Sequence, residues 1–119
     1  MWMAELARIL PPKHYEVRDL TFDHPLFRTM FDVKRLPQIP SIQFWRRSGG
    51  ETSEYGSDSL EPHIRGVSDA RGRVMVLITH NTDIADAWER EGEDPEFFYR
   101  FSPDGYAVGI NVVMYAMTH

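Results

Sequence analysis

His63-Ile64-Arg65-Gly66-Val67-Ser68-Asp69-Ala70-Arg71-Gly72-Arg73-Val74-Met75-Val76-Leu77-Ile78-Thr79 is the stretch that decides the fold. Two β-prone runs, His63 to Val67 and Arg73 to Thr79, flank a turn-rich Ser68-Asp69-Ala70-Arg71-Gly72. That order predicts a β-hairpin. The second run is apolar at five consecutive positions, Val74 to Ile78, which predicts a strand buried on both faces in the middle of a sheet. Helices on each side would have to cover it, so the expected class is α/β.

Helical periodicity supplies those helices. Trp2, Leu6, Ile9 and Leu10 share one face, with Glu5 and Arg8 off it, and Pro11-Pro12 ends the run. Tyr15 and Val17 alternate with polar neighbours, predicting a short strand through Leu20. In Thr21-Phe22-Asp23-His24-Pro25-Leu26-Phe27, Asp23 or Thr21 is placed to cap a short helix with Pro25 in its first turn and Phe27, Met30 and Phe31 on its inner side. A loop with Gly92, Pro95 and Pro103 separates the hairpin region from a last helix, Tyr106 to Met117. This helix is apolar on nearly all sides, as one buried against a sheet would be. Within it, Gly109 is expected to admit a close strand and Asn111 to bond a neighbouring loop, since a buried amide needs partners.

Residues 32–62 break the pattern. Pro37, Pro40, Gly49, Gly50, Gly56 and several serines predict a long irregular surface loop, interrupted by a strand at Ile42 to Trp45. With 119 residues there is room for one α/β domain, spanning 1–119. Its 42% hydrophobic and 13% aromatic content suits a folded core.

Composition narrows the chemistry. The net charge is −5 and the longest basic run is Arg46-Arg47, with Glu51 and Glu54 close behind, which speaks against a nucleic-acid-binding face. With no cysteine there are no disulfides, thiolate metal sites or thiol nucleophiles. No apolar run reaches the roughly 20 residues of a membrane span, and the segment from Met1 to Glu5 lacks the pattern of a signal peptide. GxGxxG, GxxxxGK[ST], GxSxG and HExxH are all absent, so no cofactor, metal or catalytic assignment follows.

What remains is the polar stretch after the hairpin: His80, Asn81, Asp83, Asp86, Trp88 and Glu89. A His-Asn pair leaving a strand end, followed by two carboxylates three apart, suits holding a metal, binding a sugar or acid–base work. Asn and Asp are equally the residues of strand-to-helix turns and N-caps. His24, before Pro25, is a second candidate ligand-binding residue, with a capping role as its structural alternative.

Three motifs in order resemble one family: Asp23-His24-Pro25-Leu26-Phe27; Gly72-Arg73-Val74-Met75-Val76 leading to His80-Asn81-Thr82-Asp83-Ile84 and Ala87-Trp88-Glu89; and Val108-Gly109-Ile110-Asn111 through Tyr115-Ala116-Met117-Thr118-His119. They resemble the C-terminal half of the bacterial domain of unknown function 4159. The resemblance implies part of a flavodoxin-like, class I glutamine-amidotransferase-like three-layer sandwich without its N-terminal half. It also implies an exported or periplasmic parent protein and, as partner, the missing half or an envelope-associated protein. It carries no amidotransferase chemistry, which needs a cysteine on a sharp elbow. Two functions are therefore weighed: a non-catalytic binding or scaffolding domain, and a hydrolase-like or carbohydrate-binding domain using residues 80–89.

Overall fold

A computed structural model describes residues 2–90 and 92–119, so Met1 and Glu91, with whatever the sequence reading says of them, lie outside the described residues. The chain is mixed α/β. In order it forms α1 (Trp2–Ile9), β1 (Arg18–Asp19), a 3-10 turn (Pro25–Arg28), α2 (Ile42–Ser48), a second 3-10 turn (Gly56–Ser59), β2 (His63–Ser68), β3 (Val74–His80), α3 (Ile84–Glu89) and α4 (Pro95–Thr118).

The hairpin forms as its sequence predicts. β2 and β3 pair antiparallel from His63↔His80 to Ser68↔Val74, with an irregularity at Val67/Ser68, and Gly72 takes the left-handed conformation in the turn. β1 joins the other side of β2, giving the order β1-β2-β3, antiparallel throughout. The apolar run of β3 is thus at an edge and not in the middle of the sheet. No residue of β3 is fully buried, and Met75 is 45% exposed. The central strand is β2, whose Ile64 and Val67 are buried.

The segment 32–62 is not a surface excursion. Its predicted strand at Ile42 to Trp45 is the helix α2. Ser41 caps it, its Oγ accepting the Phe44 N–H at 3.3 Å, and Gly49 ends it at φ 79°. A four-residue stretch with three apolar positions fits strand or helix equally, and here the cap and the stop residue decide. Ile39, Ile42 and Trp45 pack with Ile84, Ala87, Phe97 and Phe101 into one core cluster. Leu26, Phe27, Val33, Ile64, Val108 and Tyr115 form a second.

α4 links the two clusters and starts far earlier than Tyr106. Asp94 caps it, its Oδ1 accepting the N–H groups of Glu96 and Phe97, and Pro95 occupies the first turn, where its missing N–H costs nothing. Pro103 lies inside the helix, so a proline read as a break is carried through. The packing of Phe97 and Phe101 before it and Val108 after it holds the two halves in register with the core. The buried positions Phe97, Phe101, Gly105, Val108, Asn111 and Tyr115 make a single stripe, while Ile110, Val113 and Met117 are exposed. The helix is therefore covered on one side only, contrary to the all-round burial its composition suggests.

Two smaller expectations are also corrected. His24, not Asp23 or Thr21, caps the first 3-10 turn through Nδ1, and only Phe27 of its predicted apolar face is buried, Met30 and Phe31 being exposed. Gly109 makes room for the Trp88 ring and not for a strand: a Cβ there would meet Trp88 Cζ2 at 2.8 Å. α1 forms as predicted, yet none of its residues is buried. Consistent with this thin covering, the chain has a radius of gyration of 15.2 Å, against about 13.5 Å for a compact domain of its length.

Candidate functional site

Antiparallel register brings His80, the last residue of β3, opposite His63, and the two imidazoles stack with centroids 6.3 Å apart. Asn81 then turns the chain with φ 60°, a left-handed conformation Asn tolerates better than most residues. Its Nδ2 donates to the Glu61 carbonyl at 2.9 Å. Thr82 ties this corner to the segment before α2: its Oγ1 donates to the Pro37 carbonyl at 2.7 Å and accepts the Ile39 N–H at 2.9 Å. Asp83 caps α3, its Oδ1 accepting the Asp86 N–H at 3.2 Å.

The next two candidates are spent on architecture. Asp86 Oδ2 accepts the N–H of Ile42, the first residue of α2, at 2.7 Å, and its other oxygen lies 3.6 Å from Arg90 Nε. Trp88 Nε1 donates to the Gly105 carbonyl at 2.8 Å, pinning α3 to α4. Glu89 is exposed on α3. The stretch from His80 to Glu89 is thus a junction where the sheet, the 32–62 segment and α4 are tied together.

A cavity of about 330 Å³ opens at that junction, lined among others by His80, Asn81, Asp83, Glu54 and Tyr55. Of the seven candidates, His80, Asn81 and Asp83 meet there. Asp86, Trp88, Glu89 and His24 do not line it. Burial pushes the Asp83 carboxyl above its ordinary range, against its hydrogen bond with the Asp86 N–H. The nearby charges of Asp86, Glu54 and Glu89 push it further the same way. Glu54 and Tyr55 were hidden in a Gly/Ser-rich stretch with no periodicity to mark them.

His24 belongs to a different part of the molecule. Its ring lies 5.6 Å from that of Tyr115, and with Arg71, Arg73 and His119 it lines a groove of about 530 Å³ between the β2–β3 turn and the end of α4. Burial is the main cause holding the His24 imidazole below its ordinary pKa. The Asp23 charge opposes that and His119 adds to it. The only sequence signal for this second group is the four-residue spacing of Tyr115 and His119, which stacks their rings at 4.5 Å on one helix face.

Among the described residues no group of three or more His, Cys, Asp or Glu side chains is placed to hold a metal ion. No described helix is long and apolar enough to cross a membrane. A family model described as a domain of unknown function (DUF4159) matches residues 2–117. No curated protein and no solved structure matches the chain.

Proposed function

The chain belongs to the DUF4159 family, and from that premise we propose that it is a non-catalytic binding or scaffolding domain whose occupant is the other half of a larger, amidotransferase-like three-layer sandwich. One observation carries the reading: the outer face of α4. From Gly105 to Met117 the helix has no charged residue, and Ile110, Val113 and Met117 stand exposed beside the half-covered ring of Trp88. A contiguous uncharged face of this kind marks a docking surface.

Two further features support the same occupant. β3 offers an open edge seven residues long. Sheets that are mainly parallel often carry antiparallel strands at one side, so a parallel set would add naturally at that edge. α1 has an apolar face on which no residue is fully buried, with Trp2 and Ile9 exposed.

Methyl-labelled spectra of the chain, recorded alone and after adding the separately expressed other half of its parent protein, test the proposal. The Ile110, Val113 and Met117 methyls should shift, β3 amides should exchange more slowly, and Val113→Glu should abolish both effects. Methyls unmoved by that half would overturn the reading. So would a chain that alone forms a stable dimer burying the same methyls, because the occupant would then be a second copy.

A second reading has its own support. The cavity at the strand end combines His80, Asn81, Asp83 and Glu54 with Tyr55, which is 75% exposed. An aromatic side chain beside polar groups suits a carbohydrate or a hydrolase-like substrate. Titration of neutral oligosaccharides should then shift the Asn81 and Tyr55 signals and leave those of α4 unchanged. Failure of every sugar to move Asn81 would end this alternative.

A further inference from the structure

We infer that the groove between the β2–β3 turn and the C-terminal end of α4 is a binding site for a phosphate group carried on a small organic molecule. The inference stands apart from the docking face on α4 and does not depend on it.

One wall is the hairpin turn, which is rigid. Asp69 Oδ1 accepts the N–H groups of both Arg71 and Arg73, at 2.9 and 3.0 Å. The Asp69 N–H donates to the Arg73 carbonyl and the Gly72 N–H to the Asp69 carbonyl. Arg71 and Arg73 therefore leave a fixed loop on either side of Gly72. Neither guanidinium has an ion-pair partner among the described residues. The one side-chain carboxylate in the groove, that of Asp69, already spends an oxygen on two backbone donors.

The other wall supplies complementary donors. Tyr115 is buried, and its hydroxyl oxygen accepts the Val74 N–H at 3.0 Å, leaving the phenolic proton for another acceptor. His24 Nδ1 accepts the Leu26 N–H at 3.1 Å, so the neutral ring carries its proton on Nε2. Thr118 Oγ1 donates to the Met114 carbonyl, so in its contact with His119 it accepts from Nδ1–H.

In a chain of net charge −5, this groove gathers two arginines against one aspartate side chain, with two imidazoles beside them. Arginine pairs match the oxygens of phosphate in a way few other groupings do. The groove's 530 Å³ exceeds what one phosphate fills, leaving space for an organic group to lie along Pro25 and the Tyr115–His119 stack.

Amide and side-chain NMR spectra of the chain, titrated with inorganic phosphate and with glycerol 3-phosphate at constant ionic strength, test the site. Saturable shifts are expected at Arg71, Gly72, Arg73 and the His119 ring, with glycerol 3-phosphate binding several-fold more tightly. Equal affinities would still support the phosphate site and discard the organic group. Arg71→Gln and Arg73→Gln, both on exposed side chains, should each weaken binding about tenfold while peak dispersion is unchanged. Shifts no larger than chloride produces, or shifts that survive in the double variant, would overturn the inference.

Discussion

The side chain of Asn111 pairs with the backbone of Phe31 much as a neighbouring strand would. Its Oδ1 accepts the Phe31 N–H and its Nδ2 donates to the Phe31 carbonyl, both at 2.8 Å. The same Oδ1 takes the Met30 N–H at 3.0 Å, and Thr29 Oγ1 donates to the Asn111 carbonyl. An amide with no solvent exposure thus fastens the chain after the first 3-10 turn onto the middle of α4.

Asn111→Ala should be the most damaging single change on α4. It leaves two part-buried backbone donors and one acceptor without partners, where an unmet buried group costs about 1–3 kcal/mol. A loss of roughly 3 kcal/mol or more is expected in urea unfolding, with faster amide exchange at Met30 and Phe31. A loss below about 1 kcal/mol would mean water replaces the side chain freely.

Gly105 and Gly109 separate two kinds of crowding. A Cβ on Gly105 would lie 2.5 Å from Ala87 Cβ, an atom that can move only with the backbone of α3. The gain of about 1 kcal/mol from replacing a helical glycine is then outweighed by overpacking of about 1–3 kcal/mol. Gly105→Ala should therefore destabilise. Gly109→Ala meets the Trp88 ring, which is 43% exposed and can swing outward by giving up its hydrogen bond to the Gly105 carbonyl. It should cost less and shift Trp88 fluorescence to the red.

Asp86 tests whether the stretch after β3 is a junction. Asp86→Ala strands the Ile42 N–H at the buried start of α2, and loss of a hydrogen bond to a charged acceptor costs about 1.5–3 kcal/mol. Asp86→Asn keeps an acceptor for Ile42 while giving up the Arg90 pairing, and should fall between. Thermal unfolding of the three proteins should rank them in that order. An Ala variant as stable as the parent would remove the junction reading.

The sequence exposed what depends on local chemistry and concealed what depends on distant partners. The hairpin was legible because its turn residues and β-prone flanks are local, and Asn111 because an amide in an apolar helix must find partners. The edge position of β3 was not, since five apolar residues in a row look alike at an edge and in a centre. α2 was missed because Pro37, Pro40 and Gly49 outweighed the cap at Ser41. The start of α4 was missed because Pro95 and Pro103 were read as breaks, although the first is a helix-starting residue and the second is held by packing. Within the candidate site, neighbours in sequence parted: His80, Asn81 and Asp83 face one cavity, Asp86 and Trp88 brace the fold, and His24 joins Arg71 and His119, residues nearly fifty and ninety-five positions away.

Asp83 should make stability fall as pH rises through the acid range. Burial lifts its folded pKa above the ordinary 3.8. Its contribution is therefore complete below 3.8 and is lost as pH climbs through the raised folded value. Asp83→Asn keeps an acceptor for the Asp86 N–H and carries no charge. At pH 7 it should match or exceed the parent in urea midpoint, and the difference should vanish below pH 3.8. An Asn variant less stable than the parent at pH 7 would show that the charge itself strengthens the cap.

His24 acts in the opposite direction. Its folded pKa lies below the ordinary 6.5, chiefly through burial, and its Nδ1 lone pair is occupied by the Leu26 N–H. Protonation at that nitrogen would turn an acceptor into a donor facing another donor and release the cap. As pH falls from 6.5 through the lower folded value, the unfolded chain binds a proton that the folded chain refuses, and stability declines. His24→Asn retains an acceptor for Leu26 and does not titrate, so its urea midpoint should change less over the same window. Parallel pH profiles for the two proteins would mean that the imidazole is equally basic in both states, and that the cap survives its protonation.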